Sequence, residues 1–541
     1  MRNMRPEAAV IFAATALFFL YFLFNPLAVL LMNSFNTGFG VGLANYISVL
    51  NNSDITLALS NSLGISLASA LISTFMAFML AYSVNCTRIA EPIKSAIRTG
   101  VLLPMLLPTI TYGFAIIYSF GKQGFITRLL GREIIEIYGF NGLLMGYVIY
   151  TLPSAFLLIN SAFGYMDKKF IIISKLMGDG FLRSFFNTVI RPLIGAIGGA
   201  FVMSFVLSFT DFGIPASVGG SYSVIATYLY QAMLGAIPDF NSGSVIAVLM
   251  LIPAAFGVLL LNYLERFNFH YDKLSNTELP GNSFRDIALG SASMLVVLGI
   301  MAVFLVMFIT PFVKSFPYDM SFTTEFFTAT LSSGGILYVF GNSLIVSIFS
   351  AVFGTIVAYG AALVNTRTNA DKSLRLSTDV FSMITNTVPG MVLGLSYLVF
   401  FNGSSLKGTF AIIIICNIIH FFTTPYLMAK NSLSKLNPAW EITGELMGDK
   451  WINTIARVIV PNSASTMLDM VSYFFINSMI TISAIIFLVT ARTAVVTSKI
   501  KELQHFANFN EVFVLSILIF FTNISFRIIS GYFNKKLSSN Q

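Results

Sequence analysis

The chain has 541 residues, of which 56% are hydrophobic and only 10% are charged, and its mean hydropathy is +0.82. A soluble fold carries about 25% charged residues because its surface must face water, so this composition excludes a soluble protein. It predicts an all-α, polytopic membrane protein surrounded by lipid. Two Cys and three scattered His exclude a disulfide scaffold, a thiolate metal cluster and a haem or zinc centre.

A helix needs about 20 mostly apolar residues to cross about 30 Å of hydrocarbon. The first apolar stretch is longer than that of a cleavable signal peptide and lacks a small-residue cleavage site, so it is predicted to be a permanent anchor. Twelve spans are predicted in all, at 8–33, 60–86, 98–119, 141–162, 186–210, 243–264, 286–312, 341–365, 380–401, 410–428, 462–488 and 511–533.

The distribution of Lys and Arg predicts the orientation of these spans. The net charge of +8 comes from 31 Lys+Arg against 23 Asp+Glu, and in a membrane protein such an excess indicates cytoplasmic loops rather than nucleic-acid binding. With the N-terminus and its Arg2 and Arg5 in the cytoplasm, 23 of these residues are cytoplasmic and 8 are external, when Arg98, Arg191 and Arg527, toward the cytoplasmic ends of their spans, are counted as cytoplasmic. Both termini are therefore predicted to be cytoplasmic.

The sequence contains two related copies of one unit. Asn61-Ser62-Leu63 recurs as Asn342-Ser343-Leu344, and at this offset of 281 residues 9 of 21 positions are identical. Pro108 and Gly113 match Pro389 and Gly394 at the same offset. We therefore predict a first half at 1–275 and a second at 276–541, each with six spans, related as parallel repeats. The polar, turn-rich stretch 267–284 is predicted to be the linker between them.

A third repeated motif lies in the largest predicted cytoplasmic loop of each half. Leu176-Met177-Gly178-Asp179 recurs as Leu446-Met447-Gly448-Asp449. Each copy predicts a short helix, a turn at Gly, and a second amphipathic helix that ends at Pro. Gly can adopt a left-handed backbone in such a turn, and the following Asp is predicted to cap the next helix.

This pattern resembles the "EAA" loop of the membrane subunits of ATP-binding-cassette (ABC) importers. In that family a Glu-Ala-Ala stretch precedes the Gly, and a Pro follows the Gly by 13 residues. Pro461 lies 13 residues after Gly448, whereas Pro192 lies 14 residues after Gly178. The Glu-Ala-Ala itself is replaced, with Glu441 displaced by one position. The alternative is an ordinary cytoplasmic re-entry loop.

The resemblance implies a type I ABC importer permease whose two loops dock onto two copies of a separate ATP-binding subunit. That subunit would bind ATP and Mg, because no phosphate-binding Gly-x-x-x-x-Gly-Lys-Ser/Thr motif occurs in this chain. Trp451 is predicted to contribute to docking, whereas Trp440 fits either docking or a membrane interface. The predicted coupling residues are Leu176, Met177, Gly178, Asp179, Leu446, Met447, Gly448, Asp449 and Trp451.

Two fused permease halves are typical of the branch that handles ferric iron, phosphonate, phosphorylated sugars or thiamine. The stretch from Ser208 to Pro215 looks like the Asp-Phe-Gly segment of that branch. The resemblance implies an external substrate-binding protein, a bacterial cytoplasmic (inner) membrane location, and a small hydrophilic solute, with ferric iron or a phosphorylated or phosphonate compound favoured. The predicted pathway residues are Asp211, Ser208, Thr210 and Ser483.

Two readings of Asp211 stay open: a residue that lines or gates the pathway, or a helix-end residue that hydrogen-bonds the loop after it. The alternative function for the whole chain is an ion-coupled secondary transporter with twelve spans, although its spans are nearly free of the charges that usually couple ions. No catalytic constellation or metal-ligand cluster is visible, so the chain is predicted not to be an enzyme and to hold no cofactor of its own.

Overall fold

The computed structural model describes residues 5–38, 40–133, 135–235, 238–267 and 281–539. Residues 268–280 of the predicted linker, and Arg2 of the N-terminal basic pair, lie outside the described residues. The chain divides into two compact units. Unit 1 consists of Met1–Ser48, Ile237–Leu251 and Phe327–Gln541, and unit 2 consists of Val49–Ala236 and Ile252–Phe326.

The described elements are almost all helical. Up to residue 264 the α-helices are α1 (Pro6–Phe19), α2 (Asn25–Phe35), α3 (Ala44–Asn51), α4 (Ser53–Cys86), α5 (Glu91–Leu102), α6 (Thr109–Phe120), α7 (Phe125–Leu130), α8 (Phe140–Phe163), α9 (Lys169–Leu176), α10 (Phe181–Phe185), α11 (Arg191–Thr210), α12 (Gly213–Val218), α13 (Ile225–Leu234) and α14 (Phe240–Leu264).

The later α-helices are α15 (Ser283–Ile309), α16 (Glu325–Ser332), α17 (Gly334–Thr366), α18 (Lys372–Ile384), α19 (Gly390–Phe400), α20 (Phe410–His420), α21 (Thr423–Lys435), α22 (Ala439–Leu446), α23 (Trp451–Thr454), α24 (Val460–Asn462), α25 (Ala464–Ile480), α26 (Val496–His505) and α27 (Phe509–Ser539). Short 3-10 turns lie at Leu103–Leu106, Glu265–Phe267, Thr310–Phe312 and Thr385–Thr387, and π-helical turns at Leu20–Phe24, Phe186–Ile190 and Ile455–Ile459. The antiparallel strands β1 (Val313–Ser315) and β2 (Asp319–Phe322) form one hairpin.

The prediction of an all-α polytopic membrane protein is confirmed. Among the described residues, eight helices are long and apolar enough to cross a membrane, and eleven spans result if each of three bent helix pairs is counted as one. The eight are Pro6–Phe35, Ser53–Cys86, Phe140–Phe163, Phe181–Thr210, Phe240–Leu264, Ser283–Phe312, Gly334–Thr366 and Phe509–Leu537. The predicted span at 462–488 contains α25, which at 17 residues is shorter than these.

Three predicted spans are bent rather than straight. The chain turns by 110° between Glu91–Leu106 and Thr109–Leu130, and by 103° between Lys372–Thr387 and Gly390–Phe400. Pro108 and Pro389 stand at these two breaks as the N-caps of α6 and α19. A proline has no N–H to donate and disfavours helical backbone in the residue before it, so the matched prolines end one helix and begin the next. The third bend, of 56°, lies between α20 and α21.

Each unit includes at least one helix that comes from the other half of the sequence. In unit 1, α1 packs on α17 and α2 packs on α19. In unit 2, α15 packs on α4, α5 and α6. The compact units therefore do not follow the boundary at 275/276, which describes the sequence duplication and stays a prediction.

The repeated Asn-Ser pair has the same role in both units. In unit 2 the Ser62 hydroxyl accepts a hydrogen bond from the Ile225 N–H at 2.7 Å, and Asn61 donates to the Ser223 carbonyl at 3.0 Å. In unit 1 Ser343 accepts from the Val496 N–H at 2.7 Å, and Asn342 donates to the Ala494 carbonyl at 2.9 Å.

These contacts hold the first turn of α13 and of α26. The first N–H groups of a helix lack intrahelical partners, and a Ser side chain normally satisfies one of them from the adjoining N-cap position. Here the Ser comes from a long helix 163 residues earlier in unit 2 and 153 residues earlier in unit 1. The repeat found in the sequence is therefore a repeated tertiary contact.

Candidate functional site

The first Leu-Met-Gly-Asp motif forms the turn after α9 in unit 2. Gly178 has φ +79°, in the left-handed region that favours glycine. The Asp179 N–H donates to the Ser174 carbonyl at 3.1 Å, and the Gly178 N–H donates to the Lys175 carbonyl at 3.1 Å. This pair of bonds is a Schellman motif, which satisfies the last carbonyls of a helix and reverses the chain.

The second motif forms the same turn after α22 in unit 1. Gly448 has φ +82°, the Asp449 N–H donates to the Gly444 carbonyl at 2.9 Å, and the Gly448 N–H donates to the Glu445 carbonyl at 3.0 Å. The Gly turn predicted for both loops is therefore present in both, with matching hydrogen bonds.

The two residues before each Gly project into open space. The exposed fractions are 82% for Leu176 and 77% for Met177, and 84% for Leu446 and 77% for Met447. No atom lies within 4 Å of the position that a Cβ would take at Gly178 or at Gly448. We call each Leu-Met-Gly turn a loop tip. Two apolar side chains at the end of a tight turn form a surface suited to a partner groove.

The prediction that the two Asp residues cap the following helices is wrong. The N-caps of α10 and α23 are Gly180 and Lys450, and neither helix start has a side-chain cap. The Asp179 carboxylate instead accepts a hydrogen bond from the Ser174 hydroxyl at 2.7 Å and pairs with Arg183 at 3.4 Å. Asp179 therefore closes the turn back onto α9.

The helices after the tips do not both end at the expected proline. Through a π-helical turn at Phe186–Ile190, α10 continues into α11, which carries Pro192 in its first turn. In unit 1 a π-helical turn at Ile455–Ile459 precedes Pro461, and the helix breaks at Ser463. A proline inside a helix removes one N–H and clashes with the carbonyl four residues earlier, and a wider π turn accommodates both.

The loop of unit 1 is attached by ion pairs. Arg367, at the end of α17, pairs with Glu441 of α22 through two N–O contacts of 2.5 and 2.6 Å, and also donates to the carbonyls of Leu436 and Asn437. Arg5 pairs with Glu445 at 2.6 Å. Glu441, the displaced Glu of the sequence motif, thus fixes the helix that carries the tip.

Trp451 also attaches this loop, and the role predicted for it needs correction. Its side chain is buried, with 5% exposed, so the ring is not on the surface that a partner would contact. Trp451 begins α23, which packs closely on α22. The Thr454 side chain of α23 fills the space beside Gly444 of α22, so a larger residue than glycine would not fit there. The matching position in unit 2 is Phe181, which is 75% exposed. Trp440 is half-buried.

The predicted pathway residues of unit 2 lie where α11 ends. Ser208 donates to the Ser204 carbonyl and Thr210 to the Val206 carbonyl, both at 2.8 Å, so their hydroxyls bond to their own helix. The buried Asp211 carboxylate accepts from the Ile214 N–H at 2.8 Å, and also from Gly213 and the Thr109 hydroxyl. This geometry supports the reading of Asp211 as a helix-end residue that holds the following turn.

Both units contain the same close contact between two segments in this region. The glycine that permits it belongs to the segment after α11 in unit 2 and to the start of α19 in unit 1. In unit 2 a Cβ on Gly213 would lie 2.2 Å from the Thr109 hydroxyl oxygen at the start of α6. In unit 1 a Cβ on Gly390, at the start of α19, would lie 2.8 Å from the Ser483 hydroxyl oxygen. The segment that follows α11 or α25 thus touches the helix that begins after the matched proline.

The second matched glycine extends this contact. A Cβ on Gly113 would overlap Ser217, and one on Gly394 would lie 2.4 Å from the Ala484 carbonyl oxygen. Glycine is needed where two backbones approach so closely. Pro108, Pro389 and both glycines stand out in the sequence as matched positions, but their packing against the segments that contain Asp211 and Ser483 has no signal there.

Comparison with known proteins agrees with this architecture. Residues 350–539 match the family model described as binding-protein-dependent transport system inner membrane component. The chain is 26% identical over 525 residues to the ferric transport system permease protein of Actinobacillus pleuropneumoniae, covering 92% of this chain and 74% of that protein. The chain therefore resembles the permeases of binding-protein-dependent transport systems, and the family model matches part of its second half.

Other similar proteins are also named as transport permeases. The chain is 27% identical over 497 residues to a putative ferric transport system permease of Haemophilus influenzae, covering 88% of this chain and 77% of that protein. It is 24% identical over 240 residues to the spermidine/putrescine transport system permease of Escherichia coli, covering 43% and 86% of the two chains. The resemblance stated from the sequence is confirmed, and the permease is an integral inner-membrane protein of type I permease fold.

Proposed function

We propose that this permease forms the translocation pathway of an ATP-driven importer and couples to two copies of a separate ATP-binding subunit through its two loop tips. The observation that carries the proposal is the paired Schellman turn, which presents an exposed Leu-Met pair once in each unit. Such paired apolar tips suit two equivalent partner grooves. ATP and Mg would bind to the partner subunits, and Leu176, Met177, Leu446 and Met447 would contact them.

The topology that this coupling requires places both tips in the cytoplasm. The Lys and Arg bias of 23 to 8 supports two parallel halves at 1–275 and 276–541 with both termini cytoplasmic. The external segments 34–59 and 212–242 contain no Lys or Arg, which fits delivery of the solute by an external binding protein rather than capture from bulk water. If a reagent outside intact cells labelled a cysteine placed at residue 178, that result would contradict this topology.

Ferric iron is the favoured solute, and a phosphorylated or phosphonate compound is the next candidate. Support for ferric iron comes from the two ferric transport permeases, which match this chain over 92% and 88% of its length. Iron would be the cargo and not a resident cofactor.

Reconstitution tests the proposal. Purified permease is placed in liposomes with its ATPase subunits inside and an iron-loaded binding protein outside, and uptake of radioactive ferric iron is measured. Uptake that needs ATP, the binding protein and both tips is the expected result.

A matched pair of variants isolates the tips. Leu446→Asp with Met447→Asp should abolish ATP-dependent uptake because charged side chains cannot enter an apolar groove. Leu446→Ile with Met447→Leu, which keeps both side chains apolar, serves as the control and should retain uptake. Uptake driven by an ion gradient without ATP would contradict the proposal and favour the secondary transporter.

A further inference from the structure

Unit 1 buries a group of polar side chains that have no hydrogen-bond partner. Neither the amide nitrogen nor the amide oxygen of Asn417 has one among the described residues, and the same holds for the Tyr397 hydroxyl and for Nδ1 of His420. Asn417 and Tyr397 are each 0% exposed. Asn417 lies on α20 and Tyr397 on the facing helix α19. His420 is the last residue of α20.

These residues lie together at the repeated close contact of unit 1. His420 lies three residues after Asn417, so both occupy neighbouring positions on one face of α20. A Cβ on Gly390 would lie 3.1 Å from the His420 ring and 2.8 Å from the Ser483 hydroxyl. Cys416 lies close to Tyr397, and its thiol donates to the Ala484 carbonyl at 3.5 Å. We call Tyr397, Asn417, His420 and Ser483 the polar cluster of unit 1.

An unpaired polar group in an apolar interior costs free energy, and an Asn side chain has four hydrogen-bonding positions to satisfy. Native proteins keep few such groups, and those that persist require an explanation. A hydroxyl of Ser or Thr can turn back to its own helix, as Ser208 and Thr210 do in unit 2. The amide of Asn417 makes no such bond within the described structure.

In the corresponding region of unit 2, Asp211 and Tyr112 have hydrogen-bond partners within the unit. There Asp211 accepts hydrogen bonds from Ile214, Gly213 and Thr109. The Tyr112 hydroxyl donates to the Pro104 carbonyl. The two units therefore differ at this contact: in unit 2 Asp211 and Tyr112 have partners within the unit, whereas in unit 1 an amide, a phenol and an imidazole nitrogen have none among the described residues.

We infer that the polar cluster of unit 1 is a transient binding site for the solute in transit, taken as ferric iron whose charge is balanced by its own hydroxide or chelating ligands, and that these ligands exchange hydrogen bonds with Tyr397, Asn417 and His420. The inference rests on the proposed function and names where in the chain the solute is held. Asn417 offers an oxygen and a nitrogen, Tyr397 a hydroxyl, and His420 an imidazole nitrogen, so the set can both donate to and accept from such ligands. These groups carry no permanent charge, so they suit a solute that carries its own counter-charges and would hold it by hydrogen bonds alone.

Two variants separate this role from a packing role. Asn417→Leu and Tyr397→Phe each remove a buried polar group without a partner, so the melting temperature should stay equal or rise. ATP-driven uptake of radioactive ferric iron should nevertheless fall at least tenfold for N417L and severalfold for Y397F. Ser350→Ala is the matched control, because it also removes a buried unpaired hydroxyl in unit 1, and it should leave uptake unchanged.

A second measurement does not depend on the identity of the solute. The chain has two cysteines, both buried, so Cys86→Ala leaves Cys416 of α20 as the only thiol. A small cationic thiosulfonate reagent should modify Cys416 during ATP turnover, because a solute site must become hydrated at some stage. C86A combined with Cys416→Ala gives the background.

The two readouts separate failure of the inference from failure of the proposed function. Normal iron uptake by N417L and Y397F, together with an unmodified Cys416 in every state, overturns the inference and leaves the importer intact. If the wild-type chain imports no iron while turnover exposes Cys416, ferric iron is the wrong cargo and the site stands. If N417L fails to fold and Y397F folds, iron uptake by Y397F decides whether the inference holds, because this change removes only one hydroxyl.

Discussion

The two loop tips have the same backbone and different attachments. Both end a short helix with a left-handed Gly and expose a Leu-Met pair. The tip of unit 2 is closed by contacts within the loop, through Ser174, Asp179 and Arg183. The tip of unit 1 is tied to distant segments, through Arg367 to Glu441 and Arg5 to Glu445.

The comparison shows which part of the loop is under the tighter constraint. The turn and its exposed pair are the same in two copies that share few other residues, whereas the anchors differ in chemistry and in sequence distance. A docking element needs a fixed shape at the tip, and any attachment that holds it will serve. Substitutions in the anchor and in the tip should therefore have separable effects, and a substitution in the anchor of unit 1 should have the largest.

Arg367→Ala should have the largest effect. The side chains of Arg367 and Glu441 are only 4% and 11% exposed, and removing one partner leaves a buried charge, at a cost of about 3–5 kcal/mol. We expect α22 to detach, which would be measured as faster proteolytic cleavage within 436–450 and loss of ATP-dependent uptake.

Arg183→Ala is the matched change in unit 2. Its pair with Asp179 is exposed and lies within one helical turn, so it should cost about 0.5 kcal/mol or less and spare uptake. Equal sensitivity of R183A and R367A would show that the ion pair of unit 1 does not set the position of its tip.

Gly448→Val and Gly178→Val should have the next largest effect. Left-handed backbone costs an L-residue about 1–2 kcal/mol, and a β-branched side chain makes it worse. Because no atom lies near either Cβ position, the change acts through the backbone and not through a clash. ATP hydrolysis should continue while uptake falls at least tenfold, and the protein should still insert.

Gly448→Asn and Gly178→Asn are the controls, since Asn tolerates left-handed backbone better than other L-residues. They should retain most of the uptake. A valine variant with full uptake would remove the Schellman turn from the coupling mechanism.

These loops also show how far the sequence can predict such a site. The turn could be predicted because its cause is local: Gly at a helix end has few other roles. The salt bridge of Arg367 with Glu441 joins residues 74 apart, and the burial of Trp451 depends on packing with distant segments, so neither leaves a local signal. The error over Asp179 has the same origin, because a capping residue was inferred from its position while Ser174 provided a nearer partner.

In the membrane-spanning helices, too, features with a local cause could be predicted and features that depend on distant segments could not. Apolar length located the spans, and the matched prolines lie at two of the breaks, but hydropathy does not report direction, so it gave no sign of the turns of 110° and 103°. The Asn-Ser repeat was visible as an identity at constant offset. Its role emerged only from the contact with helices more than 150 residues away.

Truncation of the exposed pairs should have a smaller effect that is confined to docking. Leu446→Ala with Met447→Ala, and Leu176→Ala with Met177→Ala, remove side chains that are about four-fifths exposed, so the melting temperature should change little. Affinity for the purified ATPase should fall about tenfold in each, which corresponds to about 1.4 kcal/mol. Loss of affinity at one tip only would show that the matching turns are not equivalent docking elements.

Glu445→Gln should have the smallest effect and tests the weaker anchor. The side chains of Arg5 and Glu445 are 31% and 67% exposed, so water screens their attraction, and an exposed pair contributes about 1 kcal/mol or less. We expect a small decrease in melting temperature at low salt that disappears in 0.5 M salt, where the screening length falls to a few Å. Arg5→Ala combined with E445Q should behave like either single variant, since each breaks the same contact. A decrease that persists in high salt would mean that Glu445 also holds the turn through the backbone of α22, and would bring the anchoring of this tip closer to that of unit 2.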